Sequence, residues 1–272
     1  MTTLSDVRAV VEDLWPADRA EGWDAVGLVA GDPSQRIERI LLAVDPVLET
    51  AAEARELNAD MLLVHHPLLL RGVTSVAADR PKGRIVTDLI GSGIALLAAH
   101  TNADIVERGT SAELARAIGL TETRPIVANG ADESIGLGRI GTLPEPTTLG
   151  ALAAKLAQSL PSTATGVRGA GDYTETVQRI AVCGGAGDSL LEHEAVLEAD
   201  AYVTADLRHH PASEARDRHS MGAGPALIDL SHWASEWLWL NAAREQLAER
   251  LPGVEITVSD LRTDPWDFAL PQ

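Results

Sequence analysis

The 272-residue chain has one cysteine, Cys183, so no intrachain disulfide framework can brace it. A lone thiol fits a reducing compartment, and the expected location is the cytoplasm. Positive charge is scarce: 22 Lys and Arg face 40 Asp and Glu, a formal net charge of -18. Nucleic-acid affinity comes mainly from cations meeting phosphates, so a nucleic-acid partner is not expected. A nucleotide substrate stays open, because bound metal ions reverse the local field. Long apolar runs are also missing. No stretch supplies the ~20 apolar residues of a membrane-crossing helix, so no membrane association is expected. The charged opening MTTLSDVRAVVEDLWP lacks the apolar core of a signal peptide.

What is present is ordinary for a soluble globular protein, with 45% hydrophobic and 23% charged residues. The length suggests one large or two medium domains with a real core. Leu4, Val7, Val10, Val11 and Leu14 recur near helical spacing and predict an amphipathic first helix. Strand-like runs then alternate with helical ones. IERILLAVDP, ADMLLVHHP and IALLAAHTNAD read as strands, and VLETAAEARELN, KGRIVTDLIGSG and SAELARAIGL as helices. Ser111 is the expected cap of the last and Gly119 its stop.

Residues 121 to 150 are richer in Gly, Pro and Thr, which marks a boundary or a strand between loops. A second cycle follows, with strands at VQRIAVCGG, DAYVTADL and GPALIDLSH and a closing strand at VEITVSD. Its helices are ALAAKLAQSL, SLLEHEAVLEA, ASEARDRH and the long ASEWLWLNAAREQLAERL. The fold class is therefore α/β, two associated α/β domains with mainly parallel sheets. The expected division is 1-127 and 128-272, with 229-272 packing back on the first domain.

Ligands of open α/β sheets gather outside the carboxyl ends of the strands, so polar residues there carry information. Three groups qualify: His65-His66 after MLLV, His100 to Asp104 after IALLAA, and His232 with Glu236 after PALIDL. Neighbours on a regular strand face opposite ways, and Pro67 ends the regularity, so the two rings of the pair can diverge toward two ions. The plain alternative is one ring capping the sheet edge and the other in solvent. His232 and Glu236 are four apart at a helix start and share a face; a carboxylate there can bridge two metals, or simply form an exposed i,i+4 pair. Asp104 has a capping alternative, and packing or orientation of another ligand is favoured over direct ligation for His100. Three histidines with two carboxylates suit Zn, Fe, Mn, Co or Ni, and spacing does not choose among them.

The set LLVHHPLLLRG, HTNAD, AVCGGAGDSLL, YVTADLRHHPASEA and LIDLSHWASE resembles the NIF-three-like family, together with the opening GWDAVGLVAGDP. Its bacterial members are often labelled GTP cyclohydrolase 1 type 2 homologs, or dinuclear-metal-centre hexameric proteins. The resemblance implies the family's fold and two divalent ions, with His65, His66, Asp104, His232 and a bridging Glu236 as ligands. It further implies a homohexamer whose metal sites face an internal cavity. Asp206 and His210 match a second block that lines the same cavity, although His209 and Ala205 replace an aromatic residue and a glycine more usual there.

The leading expectation is metal-assisted hydrolysis of a small molecule, in the GTP case by attack of an activated water on the purine C8. Glu236 belongs to that chemistry, with His100 or His210 moving protons. Arg71 is a candidate for a triphosphate and equally a solvated loop residue. CGGAGD lacks the Lys-Ser/Thr end of a Walker A motif and reads as a tight turn. Two rival readings use the same residues: a metal-dependent phosphoesterase or amide hydrolase, and a non-catalytic metal-handling protein. The tryptophans of WASEWLWL are either an assembly surface or ordinary core.

Overall fold

The computed structural model describes residues 1–130 and 132–270. The chain opens with α1 (Leu4–Leu14), β1 (Gly27–Ala30), β2 (Arg39–Ala43), α2 (Leu48–Glu56), β3 (Met61–Val64), α3 (Pro81–Gly91), β4 (Ala95–Ala98) and the single turn α4 (Thr101–Asp104). It continues through α5 (Thr110–Ile118), β5 (Thr121–Arg124), β6 (Val127–Asn129), β7 (Asp132–Leu137), β8 (Arg139–Thr148), α6 (Leu149–Ser159), β9 (Arg168–Ala170) and β10 (Thr176–Ala186). The last elements are α7 (Glu194–Leu197), β11 (Ala201–Ala205), α8 (His209–Ser220), β12 (Ala226–Leu230), α9 (His232–Arg250) and β13 (Glu255–Val258).

Two compact units result. The first comprises Met1–Ala103 with Leu240–Thr263, the second Asp104–Trp239 with Asp264–Gln272. The chain passes from the first to the second at Ala103, and position 127 lies inside the second.

In the first unit the sheet order is β1-β4-β3-β2-β13. β2, β3 and β4 are parallel neighbours in register, with Ala43 opposite Val64 and Val64 opposite Ala98. β13 adds to β2 in parallel, and β1 closes the other edge antiparallel to β4. The central strands are continuous apolar runs because both sheet faces are covered. They are also short, and each is followed within two residues by a polar one. Asp45, His65-His66 and His100 therefore leave the sheet at the same, carboxyl edge. α1 starts on a capping box, in which Asp6 N donates to Thr3 Oγ1 and Thr3 N to Asp6 Oδ2. It buries Leu4, Val7 and Val11, while Val10 and Leu14 are half-buried.

The second unit carries a sheet of order β5-β8-β10-β11-β12-β9. Its centre, β10-β11-β12, is parallel; β8, β5 and β9 are antiparallel additions. Alternate residues of these strands feed two cores. Val182, Val203 and Ile228 join Leu114, Leu152 and Leu156 on one face, and Ala181, Cys183, Tyr202 and Leu227 join Leu191 and Val196 on the other.

Two local expectations change. The helix expected over 189–199 is a 3-10 turn at Asp188–Leu190 followed by α7, because the His193 side chain accepts from Ala195 N and starts a new helix there. α5 begins at Thr110 after Gly109, and Ser111 Oγ instead accepts from Gly184 N, 3.1 Å away. Gly119 does stop that helix, in the left-handed conformation at φ 79°. Trp233 and Trp239 are buried, the core reading of WASEWLWL, with Trp237 half-buried.

Candidate functional site

In the first unit, three histidines meet at the carboxyl edge of the sheet. His65 and His66 follow β3 and His100 follows β4, and their ring centroids are 5.0 to 5.4 Å apart. One ring nitrogen from each lies within 4.8 Å of the others. His65 is fully buried and its Nδ1 donates to Ala99 O at 2.9 Å. His66 Nδ1 donates to Asp45 Oδ1 at 2.7 Å, and His100 Nδ1 to Asp24 Oδ1 at 2.8 Å. All three acceptors lack a hydrogen to give, so each Nδ1 carries a proton, and in the neutral ring Nε2 is then the nitrogen with the lone pair. That tautomer is the one in which a histidine ligates a metal, with the other nitrogen fixed by an outer acceptor.

The orienting carboxylates are themselves fixed. Asp24 Oδ2 accepts from Thr101 N at 3.0 Å and from Thr101 Oγ1 at 2.5 Å. Burial works against its ionisation, but the hydrogen bonds from His100, Thr101 and Ala25 N outweigh it and hold the carboxyl below its ordinary range. Asp45 Oδ2 accepts from Thr263 Oγ1 at 2.5 Å.

In the second unit, the carboxyl ends of β10, β11 and β12 bring Gly185, Asp206 and His232 to one sheet edge. His232 Nδ1 donates to Asp206 Oδ2 at 2.8 Å, and its Nε2 lies 3.1 Å from Glu236 Oε1, one turn along α9. Asp206 reaches the ring from a left-handed turn at φ 55°. Burial would lower the pKa of His232, but Glu236 and Asp206 push it up to about 11. A ring held between two carboxylates marks a place where cations are welcome.

Gly185, also left-handed at φ 69°, leaves the room this pair needs: a β-carbon on it would stand 2.3 Å from Glu236 Oε1 and 3.3 Å from His232 Nε2. Its amide donates to Ser235 Oγ at 2.8 Å. Asp104, at the end of α4, accepts from Thr110 Oγ1 at 2.6 Å. The donor sets of both units suit a borderline divalent ion: imidazoles in the ligating tautomer, and a buried carboxylate beside a fourth histidine.

The Duf34/NIF3 (NGG1p interacting factor 3) family model matches residues 2–265. The chain belongs to this family. A GTP cyclohydrolase 1 type 2 homolog from Streptomyces coelicolor is 49% identical to it, across 98% of this chain and 94% of its own. One of the same description from Clostridium perfringens is 34% identical, across 97% and 99%. The solved Bacillus cereus protein related to NIF3 is similar at a TM-score of 0.90, covering 98% of this chain and 99% of its own; at 24% identity that likeness shows the fold.

The structure brings His65, His66 and His100 together and sets His232 beside Glu236. His100, expected mainly as an orienting or proton-moving residue, stands in the three-ring cluster itself. Asp206 holds His232, whereas His210 is exposed in the first turn of α8 with its ring against His209. Arg71 is exposed in the loop after β3. Asp24 and Asp45 went unassigned. Asp45 had a usable signal, being polar at a strand end; Asp24 lies in a loop, 76 residues from the ring it orients. Among the described residues no helix is long and apolar enough to cross a membrane.

Proposed function

We propose that this chain is a metal-dependent hydrolase resembling GTP cyclohydrolase 1 type 2, working with two divalent ions of the Zn, Fe, Mn, Co or Ni group. The family resemblance supports His65, His66, Asp104, His232 and Glu236 as the residues that would hold the ions. The observation that carries this reading is the shared orientation of four histidines, each with Nδ1 committed to an oxygen acceptor, so that Nε2 is the nitrogen each has left to offer a metal. When bound, the ions would supply Lewis acidity and a water activated for attack near neutral pH.

The protein's own part is to fix the rings. Asp24, Asp45, Asp206 and the Ala99 carbonyl set which nitrogen each histidine offers, so little reorganisation is needed on loading. Glu236, His100 and His210 are the groups proposed to act in the chemistry, the two histidines by moving protons. The substrate in this reading is a small molecule, a nucleotide in its leading form, which suits a chain too acidic to hold polymeric nucleic acid. Assembly as a cytoplasmic homohexamer belongs to the same proposal and is supported by family resemblance.

Elemental analysis of protein purified without chelators, paired with formate detection after incubation with GTP, tests the proposal. Two ions per chain and formate release that disappears in Glu236→Gln are expected. Fewer than two ions at full loading removes the dinuclear centre. Silence toward GTP with every metal of the group removes the cyclohydrolase, and hydrolysis of model phosphate esters instead would make the protein a phosphoesterase.

A further inference from the structure

The second unit contains a cavity of about 620 Å3 lined from α5 and the residues just before it, β5 and Pro125 after it, β7 and the first residue of β8. Its charged lining is Arg108, Arg116, Arg124 and Arg139 against Glu107, Glu113 and Glu133. Four cations to three anions is a positive balance, in a chain whose overall charge is -18. Surface charge scattered at the chain's own ratio would have made this cavity acidic.

The arginines are committed to different degrees. Arg139 is 3% exposed, and its Nη1 donates to Gly136 O and Gly138 O at 2.6 and 2.7 Å. Its Nη2 donates to Ile105 O and Val106 O at 3.2 and 2.6 Å. Those acceptors are neutral and hold the guanidinium in place, with the charge of Glu107 near enough to act on it. Arg116 gives Nε and Nη2 to Glu113 Oε2 at 2.8 and 2.5 Å, and Arg108 Nε is 3.5 Å from the other oxygen. Glu113 is buried and shared by those two. Arg124, exposed in β5, makes one hydrogen bond among the described contacts, a 3.4 Å bond to Pro125 O. Between the charges the lining is Leu120, Pro125, Ile135 and two alanines, with the hydroxyl residues Thr123 and Ser134.

We propose that this cavity binds a small organic anion, its phosphate or carboxylate head on Arg124 and Arg116 and its apolar body against Leu120, Pro125 and Ile135. Guanidinium forks match both oxyanions, and the fixed charge of Arg139 adds an attractive field from within the wall. The volume lies in the range of small-molecule sites, and a lining half of charged residues suits a charged ligand more than an apolar one. None of these residues belongs to the proposed metal ligands, so the site stands or falls separately.

Calorimetric titration of the full chain with phenyl phosphate, phenylacetate and neutral benzyl alcohol tests it. Saturable one-to-one binding of at least one anion is expected, with none for the alcohol. Arg124→Gln should weaken that binding about tenfold, and Arg116→Gln/Arg124→Gln should abolish it. Which anion binds tells phosphate from carboxylate. Glu236→Gln, a change among the proposed metal ligands, should leave the affinity unchanged. The proposal is overturned if neither anion saturates, if Arg124→Gln binds as the parent does, or if Glu236→Gln removes the binding.

Discussion

Gly185 stands so near Glu236 that a β-carbon at position 185 would be 2.3 Å from the carboxylate Oε1. The glycine is also left-handed, so its lack of a side chain serves the backbone and the carboxylate together. Gly185→Ala should cost about 1–3 kcal/mol of stability from backbone strain alone. It should also lower the metal content, since Glu236 must move. Urea unfolding together with elemental analysis checks this; parent-like values of both would show that the close approach has no consequence.

Asp24 and Asp45 hold His100 and His66 in the ligating tautomer through bonds of 2.8 and 2.7 Å. Loss of such an outer acceptor typically weakens metal binding by about 10–100-fold. Asp24→Asn and Asp45→Asn should each show this in competition with a chromogenic chelator. Unchanged affinity in both variants would mean that neighbouring groups set the tautomers.

The Cys183 thiol is pushed up to about 12 from an ordinary 9.0, first by burial and then by the nearby charge of Asp104. Unfolded chain therefore loses this proton first as pH rises. The contribution to stability is complete below pH 9.0 and is lost as pH climbs toward about 12, with a slope near 1.4 kcal/mol per pH unit. Cys183→Ala should flatten the alkaline limb of a stability-against-pH curve, and the native thiol should resist iodoacetamide at about pH 8. Parallel alkaline limbs for the two proteins would contradict the assignment.

Arg139 ties together four carbonyls of the β7-β8 turn and the segment after α4. Burial lowers the pKa of its guanidinium, with Glu107 acting the other way. Arg139→Met removes the donors and leaves those carbonyls in a poorly solvated place. A loss of about 3 kcal/mol or more is expected in denaturant unfolding. A change under about 1 kcal/mol would indicate that water replaces the side chain.

The strands that carry the site were legible because their signal is local. MLLV and IALLAA are apolar runs too short for helices, and the proline after His66 fixes where the first must end. By the rule that ligands gather at carboxyl edges, His65, His66, His100 and His232 stand out in the sequence itself. The same local signal misplaced Ser111, whose hydroxyl was free to cap a helix but instead meets Gly184 N, 73 residues away. It also ran a single helix through His193, where a side chain was available to start a new one.

By itself, then, the sequence determined the alternation of strands and helices, the edge at which polar residues collect, and the donor types on offer. Each of these depends on periodicity, chain stiffness or side-chain chemistry within a few residues. Only the tertiary structure decided which oxygen fixes each ring: Asp24 for His100, Asp45 for His66, Asp206 for His232. Those pairs are 76, 21 and 26 residues apart, and their meeting depends on sheet order and register, which no local pattern encodes. The same holds for Gly185, a turn-like glycine in the sequence and, once β10 lies beside β11, the opening that admits the Glu236 carboxylate.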